Sequence, residues 1–484
     1  TFANSGSTKL TGSGVLNASG AGKLVLDDRL NANDFVGGAI LSGGGTVQVY
    51  GLSSLGSGNI TLNAATLQVS GTFTDARLLT VGNAASAISV DSGQTLTVSG
   101  KITGTGNLNA SGAGVLVLND SVSANDFIGD SVLSGGGTVQ VSSLTALGSG
   151  SITINAATLQ ATTSLSYSGK NFFLGNVASA LTVASGDTFT LTNSGSTSVS
   201  GSGKLNANVA GILVLDDLLN PNTFAGGSSL FGGGTVKINS TTSLGDQTTG
   251  AAALKDITLQ ATADINTSRN FTLGSAAARI AVDSTKTFTL SGNIVDGAQA
   301  GVLTKTGNGV LELSGTGNTF SGGTTVTAGT LRVSNASGSA TGTGAVTVSG
   351  SSTTLSGAGT IAGTATIASG SILSPGGTGT AGTLTLGGLT LVSGSSLSYQ
   401  LGANTAASDR TVITGSSLFT ANGGAITLTG LSGLTSATYN LITYSGTLGG
   451  SFNNLSLASN YVTGGGNTFY AALVNNTGSV DLTT

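Results

Sequence analysis

The stretch GAGKLVLDD at residues 20–28 returns as GAGVLVLND at 112–120, as VAGILVLDD at 209–217 and more loosely as GNGVLELSG at 307–315. A phenylalanine follows each copy, at Phe35, Phe127, Phe224 and Phe320, with spacings of 92, 97 and 96 residues. GGGTVQV at 43–49 then recurs at 135–141, as GGGTVKI at 232–238 and as AGTLRV at 328–333. LGSGNITLNAATLQ at 55–68 recurs as LGSGSITINAATLQ at 147–160. Self-similarity at a long fixed period is the mark of a stacked array. Within each copy, segments such as KLVLDD, GTVQV and NITLN alternate apolar and polar residues, the pattern of a half-buried strand. Gly, Asn, Ser and Asp between them supply the turns. No window shows a 3.6-residue period, so almost no helix is expected.

A strand recurs about every ten residues or less, with one to three small residues between strands, which is the rhythm of a coil turning corners. Parallel coils stack ~4.8 Å apart, each strand pairing with the coil before and after it. About 400 residues in coils of roughly 20 give about 20 coils and a rod of about 95 Å at that spacing. Tandem antiparallel sandwiches are the competing architecture. Two prolines, no tryptophan and no long loop argue against them. The expected fold is an all-β parallel solenoid of four modules, over residues 1–100, 101–195, 196–294 and 295–400, with a β-rich capping region over 401–484.

Composition narrows the function. Glycine supplies 80 of 484 residues, charged residues only 7%, and the formal net charge is −4. With 38% hydrophobic residues and positive mean hydropathy there is enough apolar surface to bury, so the low charge does not mean disorder. No apolar run approaches the ~18 residues of a membrane helix. There is no cysteine, so no disulfide staples the fold. The 15 Lys and Arg are scattered singly, whereas nucleic-acid binding needs clustered cations. The chain opens at Thr1 without a leader pattern, which reads as a removed leader or a fragment.

The chemistry-bearing residues are few. Without histidine there is no Ser-His-Asp or Cys-His arrangement and no imidazole metal ligand. GGG at 43–45, 135–137 and 232–234 lacks the Lys-Ser/Thr and helix of a phosphate loop and reads as corners. Asp27-Asp28, Asn119-Asp120 and Asp216-Asp217 hold equivalent places. Neighbours on a strand point to opposite faces, so such a pair cannot act together. A site that recurs in every module is also a corner rather than a catalytic centre. Calcium is a weaker possibility, with Asp27, Asp28 and Asp34 helped by Asn31 and Asn33. No catalytic residue and no cofactor is expected. Asp409-Arg410 reads as a local ion pair that orients a strand.

Residues 301–333, GVLTKTGNGVLELSGTGNTFSGGTTVTAGTLRV, resemble the autotransporter-associated β-strand repeat. Leu303, Lys305, Gly307, Gly309, Leu311, Leu313, Gly315, Asn318, Phe320, Gly322, Thr324, Gly329, Leu331 and Val333 fall in that repeat's order. The segments 357–377, 409–415 and 439–455 look like its usual continuation. The other three modules keep the L-x-L strand, the Asn/Asp-Phe step and the G-x-[VL]-x-[VI] strand, and lose the leading L-x-K. The resemblance implies a right-handed parallel β-helix, secreted or on the surface of a bacterium, serving as stalk, passenger or matrix protein. The family carries no single chemistry. No series of long amphipathic strands follows, so membrane insertion of this chain is not expected.

Six of 22 Phe and Tyr lie in 439–470, which reads as a terminal element closing the apolar column. Thr1–Thr8 resembles 188–197 inside the repeat, so the first coil reads as open. Thr1, Phe2 and Asn4 at that end, and Tyr461, Phe469 and Tyr470 at the other, are the expected contacts of a head-to-tail homopolymer. The function expected is therefore a non-catalytic extracellular structural protein that self-assembles into a surface or matrix filament. The alternative is an adhesin presenting a face to glycans or surfaces, with cell-surface or matrix polysaccharide as partner. A polysaccharide-cleaving enzyme would need an unrepeated carboxylate constellation, and none is visible.

Overall fold

The computed structural model describes residues 2–3, 8–143, 145–195, 197–274, 278–377, 379–415 and 419–484. Among them are only strands, four 3-10 turns and connecting loops, with no α-helix. Two compact units emerge: residues 1–236 with 242–250, and 237–241 with 251–484. Each is a parallel β-solenoid, consistent with the right-handed helix that the repeat resemblance implies.

In the first unit the chain visits three rows of strands in fixed rotation. One row runs without a break through Phe2–Ala3, Lys23–Asp27, Thr46–Val49, Thr66–Val69, Ala87–Val90, Leu108–Ser111, Ser131–Ser134, Ile152–Asn155, Phe172–Leu174 and Val199–Ser200. A second holds Leu16–Ala18, Ala39–Ser42, Ile60–Asn63, Leu79–Val81 and Ile102–Thr103. Leu165–Ser168, Thr188–Thr192 and Ile212–Asp216 later take its slot in the rotation. The third begins at Phe73–Asp75 and passes through Thr95–Val98, Val115–Leu118, Thr138–Val141, Thr158–Ala161, Ala180–Val183 and Leu205–Val209. Thr46 pairs with Thr66 and Phe172 with Val199, so a coil here takes 20 to 27 residues.

The sequence repeat is not a whole number of coils. Lys23–Asp27, Val115–Leu118 and Ile212–Asp216 are the same strand of successive modules, yet they lie in three different rows. Each module advances the chain by four coils and one further side. Equivalent residues therefore wind around the first unit instead of lining up along it.

Alternation does what the pattern requires. Leu26, Val49, Val69 and Val90 pair in register and are all buried, forming one column of the core. Burying each such side chain is worth about 1.5–3 kcal/mol. Between them, Gln48 and Gln68 point outward. Gln48 Nε2 donates to Ser70 Oγ (2.7 Å) and Gln68 Nε2 to Asp91 Oδ1 (2.8 Å), binding coil to coil.

The triple glycines turn corners against the glycine corner of the coil before. A Cβ on Gly43 would lie 2.4 Å from the Gly20 nitrogen, and one on Gly45 would lie 2.3 Å from the Gly20 oxygen. Gly135 meets Gly112 in the same way. Backbone stacks on backbone there, which no side chain permits.

In the second unit the strands continue in parallel, with coils from 18 residues (Thr354 to Ile372) to 31 (Thr411 to Ile442). Thr438–Tyr444 changes the pattern. It is parallel to Arg410–Ile413 on one side and antiparallel to Ser479–Thr483 on the other, and the latter is antiparallel to Ala472–Asn476. Tyr461–Gly464 and Asn467–Tyr470 form a separate hairpin. No described helix is long and apolar enough to cross a membrane.

Candidate functional site

The longest recurrent loop follows the L-x-L strand, and in the first three modules its geometry is nearly the same. Its first anchor is the second acid of the Asp-Asp pair. Asp28 is buried, and its carboxylate accepts from Ser53 Oγ (2.5 Å) and Ser54 Oγ (2.6 Å) in the next coil. Asp120 accepts from Ser143 Oγ (2.6 Å) and Thr145 Oγ1 (2.5 Å). Asp217 accepts from Thr242 Oγ1 (2.6 Å) and Ser243 Oγ (2.7 Å). Each carboxylate thus tethers a short turn of the following coil: Leu52–Leu55, then Thr145–Leu147, then residues 242–245.

The second anchor is an asparagine two residues before the phenylalanine. Asn125 Oδ1 accepts from the Ile102 amide of the coil before (2.7 Å), while its Nδ2 donates to the Ala146 carbonyl of the coil after (3.0 Å). Asn33 does the same with Leu10 and Ser54, Asn222 with Val199 and Ser243, and Asn318 with Ile294 and Ala340. A side-chain amide has one acceptor and donors to match, so one residue can splice three coils. The four phenylalanines behind them are buried. A Cβ on Gly56, Gly148 or Gly245 would lie 2.6, 2.4 and 2.6 Å from the ring of Phe35, Phe127 and Phe224, respectively. The Asn-x-Phe signal was present in the sequence, but its role as a splice between coils needed the stacking to be seen.

The other acids diverge. Asp27 pairs with Arg29 (2.7 Å), whose guanidinium holds the carboxyl below its usual range, and Asp34 pairs with Lys9 (2.5 Å). The calcium candidates Asp27, Asp28 and Asp34 therefore each have a separate partner. Among the described residues there is no group of three or more His, Cys, Asp or Glu that could hold a metal ion. Cations also recur without an obvious sequence signal. Arg77 donates to the Gly56 carbonyl and Lys170 to that of Gly148.

Lys305 and Asp409 are among the charged residues buried in the second unit. Lys305 Nζ donates to the carbonyls of Thr306 (2.8 Å), Gly307 (2.8 Å) and Ala328 (3.1 Å), and burial pulls its ammonium down to about 8. This is the leading lysine of the L-x-K motif, and its work is to close a corner. The expected ion pair of Asp409 with Arg410 is not formed. Asp409 stands just before the strand Arg410–Ile413, and its buried carboxylate accepts instead from the Gly382 amide (2.9 Å) and the Gln400 amide (2.8 Å). Burial pushes its carboxyl up to about 6.

Of the expected end contacts, Thr1 and Asn4 lie outside the described residues. Phe2 is exposed, and its strand pairs in parallel with Lys23–Asp27. Of the six aromatics in 439–470 only Tyr439 is buried. Tyr461 and Tyr470 stand exposed across the hairpin, ring centroids 5.7 Å apart and edge to face, with Phe469 half-buried beside them. The aromatic enrichment is thus only partly a core feature.

Residues 16–49 and 303–333 match the model of the passenger-associated transport repeat. The first match covers the clamped loop of the first module, and the second covers that of the fourth. The adhesin BmaC autotransporter of Brucella suis biovar 1 (strain 1330) is 29% identical over 360 residues, which covers 66% of this chain and 10% of that protein. The chain thus spans about a tenth of the length of that relative. With coils, corner glycines and Asn-x-Phe splices in place, these two matched stretches carry the pattern of the autotransporter passenger repeats.

Proposed function

We propose that this chain is a non-catalytic part of an extracellular adhesive passenger, a solenoid that holds contact surfaces away from the cell that makes it. The observation that carries the reading is the similarity over 360 residues to an autotransporter named as an adhesin. The geometry is in keeping with it: the recurrent carboxylates of Asp28, Asp120 and Asp217 are spent on tethering coils. Polysaccharide at a cell surface or in a matrix is the partner class we favour, with no cofactor.

The test is to couple the purified chain to inert beads and measure retention on immobilised polysaccharides and on cultured-cell surfaces. Saturable retention, competed by free chain and accompanied by no new sugar ends, is the expected result. Beads that bind no better than uncoated ones would sink the adhesive reading. Release of new reducing or unsaturated ends would overturn the non-catalytic one.

A head-to-tail filament is the second reading. The exposed Tyr461–Tyr470 pair favours it, because paired aromatics standing in solvent offer large contact area. Electron microscopy across a range of concentrations distinguishes the two, since filaments with an axial repeat of one chain are required by the second alone.

A further inference from the structure

The three most exposed large apolar side chains among the described residues are Val122 (88%), Leu30 (80%) and Leu219 (75%). They come from three modules, and they occupy one place. Each lies two residues after the aspartate tether, inside the span closed by the asparagine splice: Asp28 to Asn33, Asp120 to Asn125 and Asp217 to Asn222. Leu218 (67%) adds to the third tip, and Val36 (59%) and Ile128 (62%) stand just past the phenylalanine in the first two. The fourth module, closest to the family pattern, has no such tip. There Phe320 follows Leu313 by seven positions, whereas Phe35, Phe127 and Phe224 follow Leu26, Leu118 and Leu215 by nine. The first three modules thus carry two extra residues, and these build a tip with an aliphatic side chain at its end.

One exposed aliphatic side chain is ordinary on a protein surface, but here the same exposure recurs at the same place in three modules, on loops whose two ends are tied into neighbouring coils. We propose that the tips are docking points for further copies of this same chain, giving lateral self-association. Two features select that occupant. First, the charges beside the first two tips are already paired, Lys9 with Asp34 at 2.5 Å, Arg29 with Asp27 at 2.7 Å and Lys101 with Asp126 at 2.6 Å. An anionic glycan or lipid headgroup finds no free cation there. Second, the tips face three different ways. The second loop bonds to Ile102 and Gly104 and so continues the row of Ile102–Thr103. The third bonds to Val199 and Gly201 and continues the row of Val199–Ser200, and the first fills the remaining side. A flat surface meets one tip at a time, whereas neighbouring copies standing around one unit meet all three. One tip is far smaller than the ~1,000 Å² that a stable pairwise interface needs, so association depends on several weak contacts made together.

This inference does not rest on the adhesive reading, because a passenger can adhere as a monomer. The test is sedimentation velocity of the full chain across a concentration series, beside the variant carrying Leu30→Ser, Val122→Ser and Leu219→Ser. The wild type should show an average mass that rises with concentration to about twice the monomer or more, undiminished by added salt, since apolar contact is not screened. The triple variant should stay at 46.4 kDa with an unchanged circular dichroism spectrum and melting point. A wild type that remains monomeric throughout overturns the proposal, and so does a triple variant that associates equally or an association that salt dissolves. Flotation with neutral phosphatidylcholine vesicles is the further arm. Tip-dependent flotation without self-association would replace the second copy by a lipid surface and refute the proposal.

Discussion

Glycines in this chain carry two separate demands, and single substitutions tell them apart. Gly148 has φ +66° and would place a Cβ 2.4 Å from the Phe127 ring. Gly136 has φ +84° with nothing within 4 Å. Gly148→Ala should cost about 2–4 kcal/mol, strain plus overpacking, while Gly136→Ala should cost about 1 kcal/mol from backbone strain alone. Denaturant midpoints of the two variants provide the comparison. At Lys305 the proton count predicts a pH effect. Its ammonium titrates near 8 in the fold against 10.5 ordinarily, so between those values the unfolded chain holds the extra proton. Stability should therefore rise as pH climbs from about 8 towards 10.5. The rise should vanish in Lys305→Met, which will also be less stable at pH 7 because three carbonyls lose their donor. Asp409 runs the other way. Its carboxyl is raised from 3.8 to about 6, so its contribution is full below 3.8 and is lost as pH rises through 6.

At the scale of the element, the coil is the exchangeable unit, since each contacts only its neighbours. Ala87 pairs with both Thr66 and Asn109. Removing residues 87–108 therefore joins Ser86 to Asn109 and seats one coil's strands where the previous ones were, with every inward residue still inward. Removing only 87–97 brings the chain back on the wrong row. We expect the first deletion to give a soluble chain with an unchanged β-sheet circular dichroism band per residue and a cooperative melt. The second should give an aggregating or unfolded one. Equal behaviour of the two deletions would mean that the row rotation does not govern the fold.

At the scale of the whole molecule, a formal charge of −4 spread over 484 residues leaves little self-repulsion to oppose contact between copies. Solubility should pass through a minimum near the isoelectric point of about 4.7, visible as turbidity, and the Ser variant of the three tips should flatten that minimum. The sequence alone determined that this chain is a β-solenoid with the passenger-repeat pattern written into it at 16–49 and 303–333. Alternation fixes which side of a strand is inward, glycine and asparagine fix the corners, and the repeats in 301–333 carry the family pattern. These are local instructions, legible because strand and turn chemistry act over a few residues. Tertiary structure decided the rest. That Asp28 tethers Ser53 and Ser54, that Asn125 splices three coils and that Asp409 turns away from Arg410 all depend on groups brought together from other coils. The winding of the modules around three sides was equally hidden. The repeat length and the coil length are both written in the chain, but their mismatch becomes a direction in space only once coil is stacked on coil.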